Sequence, residues 1–230
     1  PYSFRCIPQV HGACRDSFRL SATMINNEIN SVSDNPLVMD GDTILSSGHF
    51  HAEHVAQALD MLAISFSEIG AISERRTHFF MKGIDSVIPP FITTEPGLES
   101  GYMIAHVTAS ALASENKTLA HPASVDSLPT SGGQEDQVSM APWAGNKLFD
   151  IQRNVASILA IELMVAGAAN YIASSSMQAG KGTLPVLKIL NEHCNYKEGD
   201  RPLSPEIEKV TMLVRSGYIM KDVTKTLRLE

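Results

Sequence analysis

Apolar side chains recur along this chain at steps of three and four. Between His51 and Phe79 they fall at Val55, Leu59, Leu62, Phe66 and Ile69, one face of a helix several turns long. Gly70 interrupts that face and marks a bend or a close contact. The same spacing returns between Asn146 and Ala173, at Val155, Ile158, Leu159, Leu163 and Val165. This second stretch is apolar on more than one face, which predicts burial between other helices. Further helices are predicted from about Gly12 to Ile29 and Ser100 to Leu119, with shorter ones at about Pro185–His193 and Ser204–Ser216. In the last of these, Ser204 reads as the cap and Pro205 as the first helical residue.

Loops lie where the period breaks. The segment "DNPLVMDGDTILSSGHF" holds two short β-prone pieces around Asp40 and Gly41, a hairpin signal. "DSVIPPFITTEPG" has three prolines and cannot continue a helix. "HPASVDSLPTSGGQED" is a long loop inside an otherwise helical chain, and its apolar anchors and carboxylates favour a functional role. "SSSMQAGKG" reads as a flexible connection. The expected fold is therefore all-α, a bundle of long helices with one short β-hairpin. A core bundle carrying the loops is expected over 1–175, and a smaller helical region over 176–230.

Composition sharpens this picture. The chain has 230 residues, 43% of them hydrophobic, enough for a real core. Aromatics are only 6%, and the helices are rich in Ala, Gly and Ser, so area must be buried through length and close backbone approach. Helices this long leave apolar surface uncovered in a monomer, which predicts a homo-oligomer. The net charge of −7 argues against non-specific nucleic-acid binding and against a basic membrane-surface helix. No apolar run reaches the roughly 18–20 residues that a spanning helix needs, so none is expected. Cys6, Cys14 and Cys194 are odd in number and irregularly spaced, which favours free thiols in a cytoplasmic protein.

Four constellations could carry chemistry. "HFHAEH" places His51 and His54 three apart, but no ligand set completes a metal site; a turn with hydrogen-bonding histidines is the favoured reading. In "SGGQEDQVSM", Gly132 and Gly133 allow unusual backbone angles or close approach of a ligand. Gln134 and Glu135 follow at once, and a buried glutamate there would be raised in pKa and suited to proton transfer or to orienting a polar ring. Asn35 in "DNPL" is a turn former that can also hold a carboxylate or an amide. In "YSFRC", Arg5 is the residue type for a bidentate grip on a carboxylate, and Tyr2 can act as acid, base or orienting hydroxyl; by composition alone both read as structural.

"PYSFRCIPQVHGA", "EINSVSDNPL", "SGHFHAEHVAQALD", "SENKTLAHPASVDSLPTSGGQEDQVSM" and "GDRPLSPEIE", in this order, resemble the histidine ammonia-lyases of the aromatic amino acid lyase family. The resemblance runs over nearly the whole chain and implies the segment downstream of that family's prosthetic group. It implies a helical bundle of the ammonia-lyase/fumarase-like type, a homotetramer with active sites shared between subunits, and the electrophile 4-methylideneimidazole-5-one (MIO) formed from Ala-Ser-Gly. That tripeptide is absent here; "HGAC" and "TSGG" are the nearest pieces. The implied reaction is elimination of ammonia from L-histidine to trans-urocanate in histidine degradation, with the N-terminal half as a necessary partner and this chain alone inactive. By the same resemblance Tyr2 and Glu135 are catalytic, Arg5 grips the substrate carboxylate, and Asn35, Phe50, Met103 and Gln134 contact substrate. Glu135 stands where phenylalanine-specific relatives carry glutamine. His49 and Gln137 depart from the family's asparagine and histidine. The alternatives are a phenylalanine or tyrosine ammonia-lyase, a 2,3-aminomutase, or a non-catalytic helical scaffold.

Overall fold

A computed structural model describes residues 1–173 and 178–227. Among the described residues, eight α-helices and one hairpin follow each other along the chain. They are α1 (Tyr2–Arg5), α2 (Ile7–Ile29), β1 (Leu37–Met39), β2 (Thr43–Leu45), α3 (Glu53–Met81), α4 (Met103–Leu119), α5 (Ala141–Ala173), α6 (Leu184–His193), α7 (Ser204–Arg215) and α8 (Tyr218–Leu227). The strands pair antiparallel, Leu37 opposite Leu45 and Met39 opposite Thr43, about a turn in which Gly41 and Asp42 take positive φ. Two short helices were not expected: α1 is too short to show a period, whereas α8 carries a clear amphipathic one. Ser204 is the first helical residue of α7 rather than its cap, and no side chain caps that end. Helix α3 runs through Gly70 without interruption.

The chain divides into two compact units. The first comprises residues 1–6, 70–115 and 153–230; the second comprises 7–69 and 116–152. The boundary expected at 175/176 lies outside the described residues, as does much of the connection expected in "SSSMQAGKG".

The first unit has a contiguous apolar core. Helix α4 presents Ala105, Ala109 and Ala113 at four-residue steps, one face of small side chains. Ile158, Ile161, Met164 and Val165 of α5 join them, with Leu190 of α6 and Val210 of α7. Two polar clusters are built into this unit. Glu74 is fully buried and accepts hydrogen bonds from Ser110 Oγ (2.7 Å) and His106 Nε2 (3.1 Å). Glu162 accepts from Ser73 Oγ (2.6 Å) and pairs with Arg76. In the C-terminal segment Arg201 is held in a two-point pair with Glu206, at 2.8 and 2.9 Å.

The second unit packs α2 on the first half of α3. Phe18 meets Phe66 at 5.0 Å between ring centroids, and Ser21 Oγ donates to the Ala58 carbonyl at 3.1 Å. The deeply buried positions of α3 here are Ala56, Ala58, Asp60, Ala63, Ser65 and Ser67. Val55, Leu59, Leu62, Phe66 and Ile69 are only half-buried. The apolar stripe therefore flanks the contact, whose centre is made of small residues that let the backbones approach.

Helices α3 and α5 are each long and apolar enough to cross a membrane by length and composition. This corrects the expectation that no such stretch exists, because scattered charges do not lower the mean hydropathy of these helices enough. Both carry charged side chains buried in pairs, Glu74 and Arg76 on α3 and Lys147 on α5, as helices packed inside a protein core do.

Candidate functional site

The loop between α4 and α5, residues 120–140, is fixed at its start by a buried charge pair. Asp60 of α3 accepts the backbone N–H groups of Ala123 (3.0 Å) and Ser124 (2.8 Å). Lys147 of α5 lies 2.9 Å from the same carboxylate and donates to the His121 carbonyl. Burial by itself would raise the Asp60 pKa. The two backbone N–H groups and the Lys147 ammonium outweigh it, and the carboxyl is held below its ordinary value.

Further on, the loop folds into a small turn. Thr130 N–H donates to the Glu135 carbonyl at 2.9 Å, and Glu135 N–H returns to the Thr130 carbonyl at 3.3 Å. Between them Ser131, Gly132 and Gly133 have φ of 48°, 65° and 87°. Three successive left-handed residues explain the diglycine: no heavy atom lies within 4 Å of a Cβ added at either glycine, so backbone freedom and not space selects it.

Glu135 is exposed on this turn, and its pKa is lowered by hydrogen bonds from Thr130 first and Ser131 second. The burial that would raise its pKa is not found around Glu135 in this chain. The diglycine turn projects the residue outward, and hydroxyls stabilise its ionised form. Gln134 is exposed beside it.

Two hydrogen bonds set the rest of the loop. Ser127 Oγ accepts Val138 N–H at 2.8 Å. His51 Nε2 meets the Gln137 carbonyl at 2.8 Å, so the "HFH" turn is tied to the segment two residues past Glu135. That bond is the hydrogen-bonding role expected of a histidine here, and it joins the turn carrying Phe50, 56% exposed, to the loop carrying Gln134 and Glu135. Asn35 sits in the hairpin's approach, exposed. Its Oδ1 accepts Ser47 N–H at 3.0 Å, which leaves the amide NH2 available to a ligand. Among the described residues no group of three or more His, Cys, Asp or Glu side chains is placed to hold a metal.

The other candidates belong to the first unit. Tyr2 and Arg5 lie on α1 and are exposed, Tyr2 at 77%. Phe4 of the same turn packs edge-on against Phe79 at 5.1 Å. Tyr2 lines a shallow cleft of about 280 Å³ with Arg75, His78, Phe79 and Lys82. Met103, half-buried, is the first residue of α4. The start of that helix is held by Asp200, whose two oxygens accept the N–H groups of Ser100 and Gly101, both at 2.8 Å.

Sequence reading missed Asp60, Lys147, Thr130 and Asp200. For the first two a signal existed: a single carboxylate in "ALDMLA" and a single ammonium in "GNKLF" interrupt apolar helix runs. Thr130 and Asp200 carry no such mark.

The sequence matches the aromatic amino acid lyase family over residues 1–192. It is 50% identical to a histidine ammonia-lyase of Rhodospirillum rubrum over 218 residues, 94% of this chain and 42% of the relative. Among solved structures it superposes on histidine ammonia-lyase from Trypanosoma cruzi with a TM-score of 0.92 and 41% identity, over 98% of this chain and 45% of the other. It superposes on tyrosine aminomutase from Streptomyces globisporus with a TM-score of 0.93 and 29% identity, over 100% of this chain and 44% of the other. The helical architecture is thus that of the ammonia-lyases and aminomutases. The chain spans less than half the length of each of these relatives.

Proposed function

The chain belongs to the aromatic amino acid lyase family, and from that premise we propose that it is the C-terminal part of a histidine ammonia-lyase. The whole protein would eliminate ammonia from L-histidine: the Cα–N bond breaks, a proton leaves Cβ, and trans-urocanate remains. The observation that carries this reading is Glu135, an exposed carboxylate on the turn of left-handed residues 131–133, its ionised form favoured by hydrogen bonds from Thr130 and Ser131. An ionised carboxylate accepts a hydrogen bond from an imidazole N–H, which a phenyl ring cannot offer.

The remaining candidates take roles that fit their chemistry. Arg5 grips the substrate carboxylate in a bidentate pair. Tyr2 presents a hydroxyl to the reacting carbons, as acid, base or orienting group. The Asn35 amide and Gln134 offer polar contacts, and Phe50 and Met103 pack on the ring. The electrophile of the family, MIO, activates the substrate amine when present. This chain has no Ala-Ser-Gly from which to make it, so none of its residues supplies that electrophile.

The same proposal includes a cytoplasmic homotetramer with sites shared between subunits and completed by the N-terminal half. Exposed apolar side chains on α4, Ile104 and Val107, support association. It also retains a core bundle over 1–175 and a smaller helical region over 176–230.

The test is spectrophotometric. The 230-residue chain with L-histidine is expected to form no urocanate. The full-length protein is expected to form it, and Glu135→Gln in that protein to lose most of the activity. Turnover by the chain alone, or L-phenylalanine, L-tyrosine or a β-amino acid as the preferred substrate or product of the full-length protein, would refute the reading.

A further inference from the structure

We infer that Thr130 is a positioning residue for Glu135, fixing the direction in which that carboxylate meets the substrate ring. The inference rests on the reading of Glu135 as acceptor for an imidazole N–H. The Thr130 hydroxyl donates to Oε2 of Glu135. The two residues are also paired through their backbones in both directions, across the turn of left-handed residues 131–133. They are therefore locked together at main-chain and side-chain level, five residues apart in sequence.

Glu135 needs such a lock. It is exposed, and an exposed glutamate with three side-chain torsions spreads over many rotamers. Threonine is β-branched and stiff at χ1, so its hydroxyl points in few directions. A bond from that hydroxyl narrows where the carboxylate can go. An ionised carboxylate has about four acceptor positions, so the bonds from Thr130 and Ser131 leave others for the ring. The bond also favours the ionised form, in keeping with the lowered pKa of Glu135. Rates fall steeply when a reacting or orienting group is misplaced by even about 1 Å.

Two substitutions in the full-length protein separate positioning from packing. Thr130→Val keeps the shape and deletes the hydroxyl; Thr130→Ser keeps the hydroxyl. Thr130→Val is expected to lower kcat/KM for L-histidine by about 10-fold or more, chiefly in kcat, and to move the acid limb of the pH profile upward. Thr130→Ser is expected to restore most of the loss. In the 230-residue chain, a carbon-13 NMR titration of the Glu135 carboxyl reads the same coupling without turnover, and Thr130→Val is expected to raise its pKa. Unchanged kinetics in Thr130→Val, equal losses in Val and Ser variants, or an unchanged Glu135 titration would each overturn the role. The two failures are distinct. A protein that turns over L-histidine, loses this in Glu135→Gln and keeps it in Thr130→Val sinks the positioning role alone. A full-length protein that ignores L-histidine sinks the functional reading and the positioning role with it.

Discussion

Replacing Lys147 with methionine removes the ammonium that lies 2.9 Å from Asp60, in a place where the two side chains are 1% and 5% exposed. The Asp60 carboxylate then keeps the N–H groups of Ala123 and Ser124 and the Ser124 side chain. Removing one partner of a buried ion pair typically costs about 3–5 kcal/mol, since the other charge stays out of water. At about 1.4 kcal/mol per tenfold, that is a change of roughly 100-fold or more in the folding equilibrium. Urea unfolding of the 230-residue chain, followed by circular dichroism, measures it. The pH dependence gives a second signature. In the native chain Asp60 has a lowered pKa, so its contribution is complete above the ordinary aspartate value and is lost as pH falls through the lowered one. Without Lys147 one of the groups that oppose burial is gone, so the pKa rises from its position in the native chain. The penalty in Lys147→Met should then shrink as pH falls and Asp60 takes up a proton. The double variant Asp60→Asn with Lys147→Met should cost less than the two singles added, by about 0.5–3 kcal/mol. A Lys147→Met loss under about 1 kcal/mol, or strictly additive singles, would refute the reasoning.

Three further outcomes follow from the same geometry. Gly133→Ala should cost about 1–2 kcal/mol, because alanine must adopt the left-handed φ of 87°; Gly12→Ala, in the interior of α2 with open space around the added Cβ, should instead gain about 0.5–1 kcal/mol. Opposite shifts of the urea midpoints check the pair, and shifts of the same sign would count against it. Asp200→Ala should weaken the start of α4 by about 1 kcal/mol, read as faster hydrogen exchange at Ser100 and Gly101, with unchanged rates the adverse result. His51→Phe keeps a ring but loses the bond to the Gln137 carbonyl, and faster exchange should appear in residues 134–138 and not in α2.

The long helices were legible because their periodicity is sustained over many turns, and the hairpin because Asp40-Gly41 breaks that period with turn chemistry. Two helices escaped for opposite reasons. Helix α1 is four residues long, too short to show a period. Helix α8 buries Ile219 and Val223 one turn apart and is clearly amphipathic, so its pattern was present and was overlooked. The reading of α3 found the right helix and the wrong centre of contact. Large apolar residues dominate a hydropathy pattern, whereas the closest helix contacts here are made by Ala and Ser, which weigh little in it. The same bias hid Asp60. A carboxylate in an apolar run lowers the signal for burial, yet its partners on the loop and on α5 are what allow it to be buried at all.

The site divides along the same line. Residues 130–138 are contiguous, so their types and order point to Glu135 directly. The environment of Glu135 is set by backbone angles and by which side chain the turn brings back onto it. Neither is written as a pattern: a diglycine is compatible with a buried approach to a ligand and with an outward turn. The left-handed run at 131–133 decides for the outward turn and brings Thr130 within hydrogen-bond reach of the carboxylate. That favours the second of the two roles open to the residue, orienting a polar ring, over proton transfer. An acid with a raised pKa would donate a proton at neutral pH, whereas the lowered one found here stays charged and accepts. Acceptance suits the anchoring of an imidazole N–H better than it suits protonation of a leaving group. On this argument Glu135→Asp, which keeps the charge and withdraws it by one methylene, should raise KM for L-histidine more than it lowers kcat. A loss confined to kcat would return Glu135 to proton transfer.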